Sequence, residues 1–135
     1  SGVGTILYNM IVNPVSGKIY VSNTDANNEV RFEGTRAPGD TTSSVIGNIH
    51  KARISILDSG SVTPIQLNKH INYNVAPSPS GVKENSVSSP LGMAITGDGQ
   101  TLYLAAFGSG KIGVFDTTTL EDNSFTPSSS VTLPS

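Results

Sequence analysis

At 135 residues and 14.0 kDa the chain has the size of one ordinary domain, long enough to bury a modest core without disulfides or a structural metal. Charged residues are only 13% of the total and the formal net charge is -2, which excludes the field that sequence-independent nucleic-acid binding or attraction to a membrane surface requires. The absence of cysteine excludes a disulfide framework, a thiolate zinc site, a CxxCH haem attachment and a cysteine nucleophile. No apolar run approaches the roughly 20 residues of a bilayer span. Solubility rests instead on Ser, Thr and Asn, a surface commoner outside cells than inside. Ser1-Gly2-Val3-Gly4 has neither the charged nor the apolar region of an export signal, so if the parent protein is exported its signal is expected outside this sequence.

No segment carries a sustained helical period. Short runs rich in Val, Ile, Tyr and Phe, bounded by Gly, Pro, Asn or Asp, predict strands. In chain order these are about 5–12 (TILYNMIV), 18–23 (KIYVSN), 29–33 (EVRFE), 52–58 (ARISILD), 62–67 (VTPIQL), 91–96 (LGMAIT), 101–107 (TLYLAAF), 111–116 (KIGVFD) and 129–133 (SSVTL). The period of two in KIYVSN places Ile19 and Val21 on one side of its strand and Tyr20 on the other.

The chain also repeats itself. Met10 to Val21 aligns without a gap on Met93 to Leu104, an offset of 83, each stretch reading as strand, tight Gly-bearing turn and strand. Ser16-Gly17 and Asp98-Gly99 are turn formers, because a hairpin needs positive φ there. Further on, Ile54-Ser55-Ile56-Leu57-Asp58 matches Ile112-Gly113-Val114-Phe115-Asp116, and Val62 to Leu67 is answered by Val131 to Leu133. Four antiparallel strands in tandem are the sequence form of a β-propeller blade, usually about 40–50 residues long. The expected organisation is all-β, a single partial propeller domain over 1–135. Its first blade-like repeat spans 1–67 with an insertion at 24–50, a long loop spans 68–90, and a second repeat spans 91–135. Two blades leave the ring incomplete, since propellers typically hold about four to eight. The chain is therefore expected to be a fragment, or to complete its sheets through another copy of itself.

Tyr20-Val21-Ser22-Asn23, with the turn Asn13-Pro14-Val15-Ser16-Gly17-Lys18 before it and Ile54 to Asp58 after it, resembles the YVTN family of β-propeller repeats. The second copy departs from that pattern at Tyr103-Leu104-Ala105-Ala106. The resemblance implies an extracytoplasmic bacterial or archaeal protein, periplasmic or on the cell surface. It also implies, in some members, association with c-type cytochromes.

His50 and His70 are the two histidines, one beside each insertion, and as neutral imidazoles facing one pocket they could ligate a transition metal or a haem iron, with Asp40, Asp58 and Glu84 as candidates to orient the imidazoles by hydrogen bonds. The plainer reading is two unrelated loop residues. Asn23, Asp25, Asn27 and Glu29 cluster enough side-chain oxygens to wrap a calcium ion, although they lack the order and glycine of an EF-hand; the plainer reading is an Asx-rich turn. Asp58 and Asp116 end equivalent strands, which favours a capping hydrogen bond over catalysis. Tyr20 and Tyr103 occupy repeat positions and are read as core or inter-blade packing. Arg31, Arg36 and Arg53 around Phe32 and Glu33 could hold an anion, though surface ion pairing explains them as well.

No nucleophile elbow, phosphate-cradling loop or Ser-His-Asp pattern is present, so the chain is read as non-enzymatic. The function expected is a binding or scaffold module without a cofactor, recognising a protein partner through its inserted loops or self-associating through exposed blade faces. The alternative is a fragment of a redox propeller with His50 or His70 as a metal or haem ligand; a lactonase-like propeller hydrolase ranks last. The segment from Asn72 to Ser89, with little to bury, is expected to be the most mobile or partner-dependent part, and the terminal strands are expected to pair between molecules.

Overall fold

In the computed structural model, residues 2–27, 48–73, 75, 77–126 and 130–132 are described. The chain is all-β, and among the described residues eight strands form two four-stranded antiparallel sheets, each a simple meander. The first holds β1 (Ile6–Val12), β2 (Ile19–Ala26), β3 (His50–Asp58) and β4 (Ser61–Gln66), and the second β5 (Pro90–Ile95), β6 (Thr101–Ala106), β7 (Lys111–Asp116) and β8 (Ser130–Thr132). Two short helices, α1 (Val82–Asn85) and α2 (Thr117–Glu121), lie in connections. They escape a periodicity search because neither completes two turns. The strand expected at 29–33 lies outside the described residues, while β2 continues to Ala26 and β3 begins at His50, so the first insertion is narrower than 24–50.

Strand pairing reproduces the internal repeat residue by residue. Val12 faces Ile19 as Ile95 faces Leu102, and Ile19 faces Leu57 as Leu102 faces Phe115. Ile54 faces Ile65 as Ile112 faces Val131. Each first strand carries a register irregularity at the equivalent place, between Leu7 and Asn9 in one sheet and between Pro90 and Met93 in the other. The two turns differ in detail: positive φ falls at Gly17 in one and, a position earlier in the alignment, at Gly99 in the other. At Gly99 a side chain would also collide with the Asn13 amide, so glycine is required there twice over.

Opposed residues of an antiparallel pair share a face, so the register divides each sheet into two surfaces. In the first sheet, Ile11, Tyr20, Ile54, Ile56 and Ile65 form one face, and Met10, Val12, Ile19, Val21 and Leu57 the other. The core joins the first of these to the non-equivalent face of the second sheet, which presents Met93, Ile95, Leu102, Leu104 and Phe115. The sheets therefore stack head to tail, like to unlike. Ile19 and Val21 do lie opposite Tyr20, and Tyr20 is fully buried in the core. Tyr103 lies outside the core: it is 41% exposed, because among the described residues no sheet packs on its face of the second sheet.

A polar latch ties the seam at the turn end. The Tyr20 hydroxyl donates to Glu121 Oε1, Lys18 Nζ donates to Glu121 Oε2 at 2.6 Å, and Asn13 Nδ2 donates to the Gly99 carbonyl at 2.9 Å. Ser22 Oγ adds a bond of 2.6 Å to the Leu91 carbonyl, which the irregularity in β5 leaves outside the strand ladder. Asp116 caps α2 by accepting from Thr119 N–H, whereas Asp58, before a two-residue turn, accepts from Ser59 Oγ instead. Equivalent aspartates thus cap different connections.

The 68–90 segment is more firmly held at its C-terminal end than its composition suggested. Asn68 clamps Val87 from both sides, donating to its carbonyl at 2.8 Å and accepting from its N–H at 2.9 Å, and Val87 is buried in the core. The ammonium of buried Lys111 donates to the carbonyls of Lys83, Glu84 and Ser86 around the end of α1. Asn68→Ala leaves both Val87 backbone groups unpaired, a loss of about 1–3 kcal/mol. Tryptic cleavage after Lys83 is expected to accelerate in that variant, and an unchanged digestion rate would refute the clamp.

Candidate functional site

Meander topology puts alternate connections at opposite ends. The tight turns after β1 and β3 share one end, and the two inserted connections, after β2 and after β4, share the other. Their described residues border there a pocket of about 270 Å³ whose wall includes His50, Ala52, Asn68, Ile71, Tyr73 and Ser86. The connection after β6 joins the same end, where Gly108 N–H bonds the Ser88 carbonyl at 3.0 Å. Large apolar side chains stand in solvent on all three connections: Ile49 is 70% exposed, Phe107 77%, and Val75 is exposed as well. Burial pushes the Tyr73 phenol up, and it pushes the Lys69 ammonium down, although Lys69 lies 4.0 Å from the Phe125 ring centre in a cation–π contact.

The candidate metal ligands are distributed rather than gathered. His50 is exposed at the start of β3 and lines the pocket; His70 does not line it, and its Nε2 lies 3.2 Å from the Val82 carbonyl and 3.1 Å from Ser86 Oγ. Two side-chain atoms here, His70 Nδ1 and Asn48 Oδ1, are buried without a partner among the described residues. Among those residues no group of three His, Cys, Asp or Glu side chains stands together. Asp40 lies outside them, Asp58 is at the opposite, turn end, and Glu84 is on α1.

The oxygen-rich segment is mostly strand rather than turn. Asn23 is buried inside β2, donating to the Val21 carbonyl and to Ser55 Oγ, while its Oδ1 accepts from Arg53 Nε at 3.4 Å. Asp25 pairs with Arg53 at 2.9 Å, and Asn27 donates to the Asn48 carbonyl. Two of the four oxygen donors considered for calcium therefore face an arginine, and Lys51 lines the small cleft beside Asp25 and Asn27. Glu29, and with it Arg31, Phe32, Glu33 and Arg36, lies outside the described residues. Arg53, the remaining member of the anion candidate, is engaged with Asp25 and Asn23. What sequence reasoning missed is the loop-end surface made by Ile49, Tyr73 and Phe107. Phe107, the last residue of a run read as strand, sits instead in a 3₁₀ turn (Phe107–Ser109).

These features define the class: an all-β domain of two tandem four-stranded meanders, stacked head to tail, with a pocket and exposed apolar groups where the long connections converge. No protein-family model matches the chain, and no curated protein matches it. Among solved structures it is similar to Kuenenia stuttgartiensis hydrazine synthase, at a TM-score of 0.64 and 18% identity. That match covers 93% of this chain and 31% of the other, so the chain spans about a third of its structural neighbour and shares its fold.

Proposed function

We propose that the chain is a non-catalytic binding or scaffold module built from two propeller-type blades of the YVTN kind, working outside the cytoplasm and recognising a protein partner at the loop end. The observation that carries this reading is that both insertions leave and rejoin the strands at one end, where Ile49 and Phe107 are exposed near a pocket walled by His50 and Tyr73. Binding residues gather on loops held by a rigid scaffold, and exposed aromatic and aliphatic groups beside a pocket are the anchors of protein interfaces. Head-to-tail stacking supports the blade reading, because radial repetition requires each sheet to meet its neighbour through unlike faces.

Peptides selected from a displayed random library against the whole chain test this. Selected peptides are expected to lose at least tenfold in affinity towards Ile49→Ser and Phe107→Ser, the loss of one modest hot spot. Equal binding to both variants, or peptides competing only at the turn end, would overturn it.

The redox alternative draws support from His50 on the pocket wall and from a structural neighbour named as a synthase. An absorption spectrum and elemental scan of the purified protein separate the two readings: a Soret band or stoichiometric transition metal, lost in His50→Ala or His70→Ala, replaces the binding-module reading with the redox one.

A further inference from the structure

In their large apolar residues the two outer faces of the stack repeat the pair of faces buried between its sheets; the exceptions, Asn23 and Ser55, stand where the buried face has Ala106 and Gly113 and lie under residues 2–4. The buried face of the second sheet presents Met93, Ile95, Leu102, Leu104 and Phe115, whose equivalents on the outer face of the first are Met10, Val12, Ile19, Val21 and Leu57. The buried face of the first presents Tyr20, Ile54 and Ile56; the outer face of the second presents Tyr103, Ile112 and Val114. Every substitution between the sets is apolar for apolar or Tyr for Tyr. A closed two-layer sandwich has polar outer faces, yet here Met10 is 66% exposed, with Val12, Val62 and Tyr103 also open to solvent.

One detail fixes the register of an added sheet. Tyr20 belongs to the core cluster that also holds Leu102 and Phe115, and it reaches Glu121 in the connection after β7. On the first sheet the equivalent place lies between Ile19, Leu57 and the connection after β3. There, the Ser59-Gly60 turn replaces α2, and a groove of about 410 Å³ lies open, lined by Gly17, Ile19, Leu57, Asp58, Ser59 and Val62. Among the described residues, the place on one outer face that matches the slot of Tyr20 is thus an open groove, and the exposed tyrosine that matches Tyr20 stands on the other.

We propose that this groove receives Tyr103 of a second copy of the chain, extending the head-to-tail stack between molecules. The contact is heterologous: it uses two different faces, so each molecule offers both, and association continues into rings or open chains. It continues the internal seam with fewer polar bonds, because Ala105 stands where Ser22 bonds across the seam and a short turn stands where Glu121 does. Association is therefore weaker than the seam, and belongs in the range of about 10 µM to 1 mM. The proposal rests on the stacking geometry and uses nothing at the loop end, so either reading can fail while the other stands.

Sedimentation equilibrium across that concentration range tests it with two surface variants. Val62→Asp blocks the groove and Tyr103→Asp blocks the tyrosine face, so each alone is expected to be monomeric. Their mixture retains one good pair of faces and should form a 1:1 complex that grows no further, while wild type grows. Circular dichroism establishes that both fold. Should either not, Met10→Lys and Tyr103→Ser take their places. A cysteine-free protein offers a second measurement: Tyr103→Cys with Ser59→Cys in one chain should give a ladder of disulfide-linked oligomers, and either alone at most a dimer. Wild type that stays monomeric throughout, a mixture that does not associate, or blocked variants that self-associate like wild type through strand edges would each overturn the proposal.

Discussion

Leu102→Asp abolishes cooperative folding, and Leu102→Ala lowers stability by about 2–5 kcal/mol, the range for emptying a packed aliphatic site. Leu102 is fully buried, lies opposite Phe115 on β6 and β7, and belongs to the cluster that joins the two sheets. A carboxylate there would be desolvated in an apolar seam with no cation to pair it, which is why the aspartate is expected to be far worse than the cavity. The neighbouring residue is the internal control. Tyr103 points to the opposite face and is 41% exposed, so in dilute protein Tyr103→Ala should cost under about 1 kcal/mol. Urea unfolding of the three variants decides the matter. If Leu102→Ala and Tyr103→Ala had equal midpoints, the assignment of the seam to the Leu102 face would be wrong.

The latch at Tyr20 predicts a specific loss of stability in alkali. Burial, and then the hydrogen bond to the Glu121 carboxylate, push the phenol up to about 12, against an ordinary value near 10. Between those values the unfolded chain has released the phenolic proton and the folded chain still holds it. The unfolded state then binds fewer protons, so stability falls as pH rises from about 10 to 12 and is fully present below that window. Two units correspond to about 2.7 kcal/mol, and because the hydroxyl reaches a carboxylate at the edge of the core, solvent screening reduces the expected loss to about 1–2 kcal/mol. Tyr20→Phe should be about 1–2 kcal/mol less stable than wild type at neutral pH, having lost the bond to Glu121 and left Asn13 Nδ2 with one acceptor fewer. The same variant should show a flatter stability profile above pH 10. Parallel profiles for the two proteins would remove Tyr20 as the titrating group.

Much of the fold was legible in the residues alone. Alternating aliphatic runs between Gly, Asn and Asp located strands β1 to β7 to within a few residues, and the offset of 83 between Tyr20 and Tyr103 anticipated the strand register of both hairpins. These features are local: a strand's period of two and a hairpin's turn chemistry are written in neighbouring residues. The short helices were not legible, since α2 depends on the Asp116 cap and on Leu120 reaching the core, and not on a periodic face.

The candidate site was legible only in outline. Composition indicated where the insertions fall, and a meander sends both to one end, yet the apolar groups that make that end a surface, Ile49 and Phe107, carry no motif. The histidines and the Asn23–Asn27 oxygens were conspicuous by residue type, but Asn23 and Asp25 turned to Arg53, a partner 30 residues from Asn23 in the chain that only the pairing of β2 with β3 brings near.

The sequence by itself determined the strands, the turns, the repeat and the absence of any thiol chemistry, because each follows from residue identity or from spacing within a hairpin. Only the tertiary structure decided which of two equivalent tyrosines would be buried. Tyr20 and Tyr103 hold the same place in the same repeat, with the same alternation around them. One meets a second sheet and a glutamate across the seam, and the other meets solvent, since burial belongs to the neighbour a face acquires and not to the strand that carries it.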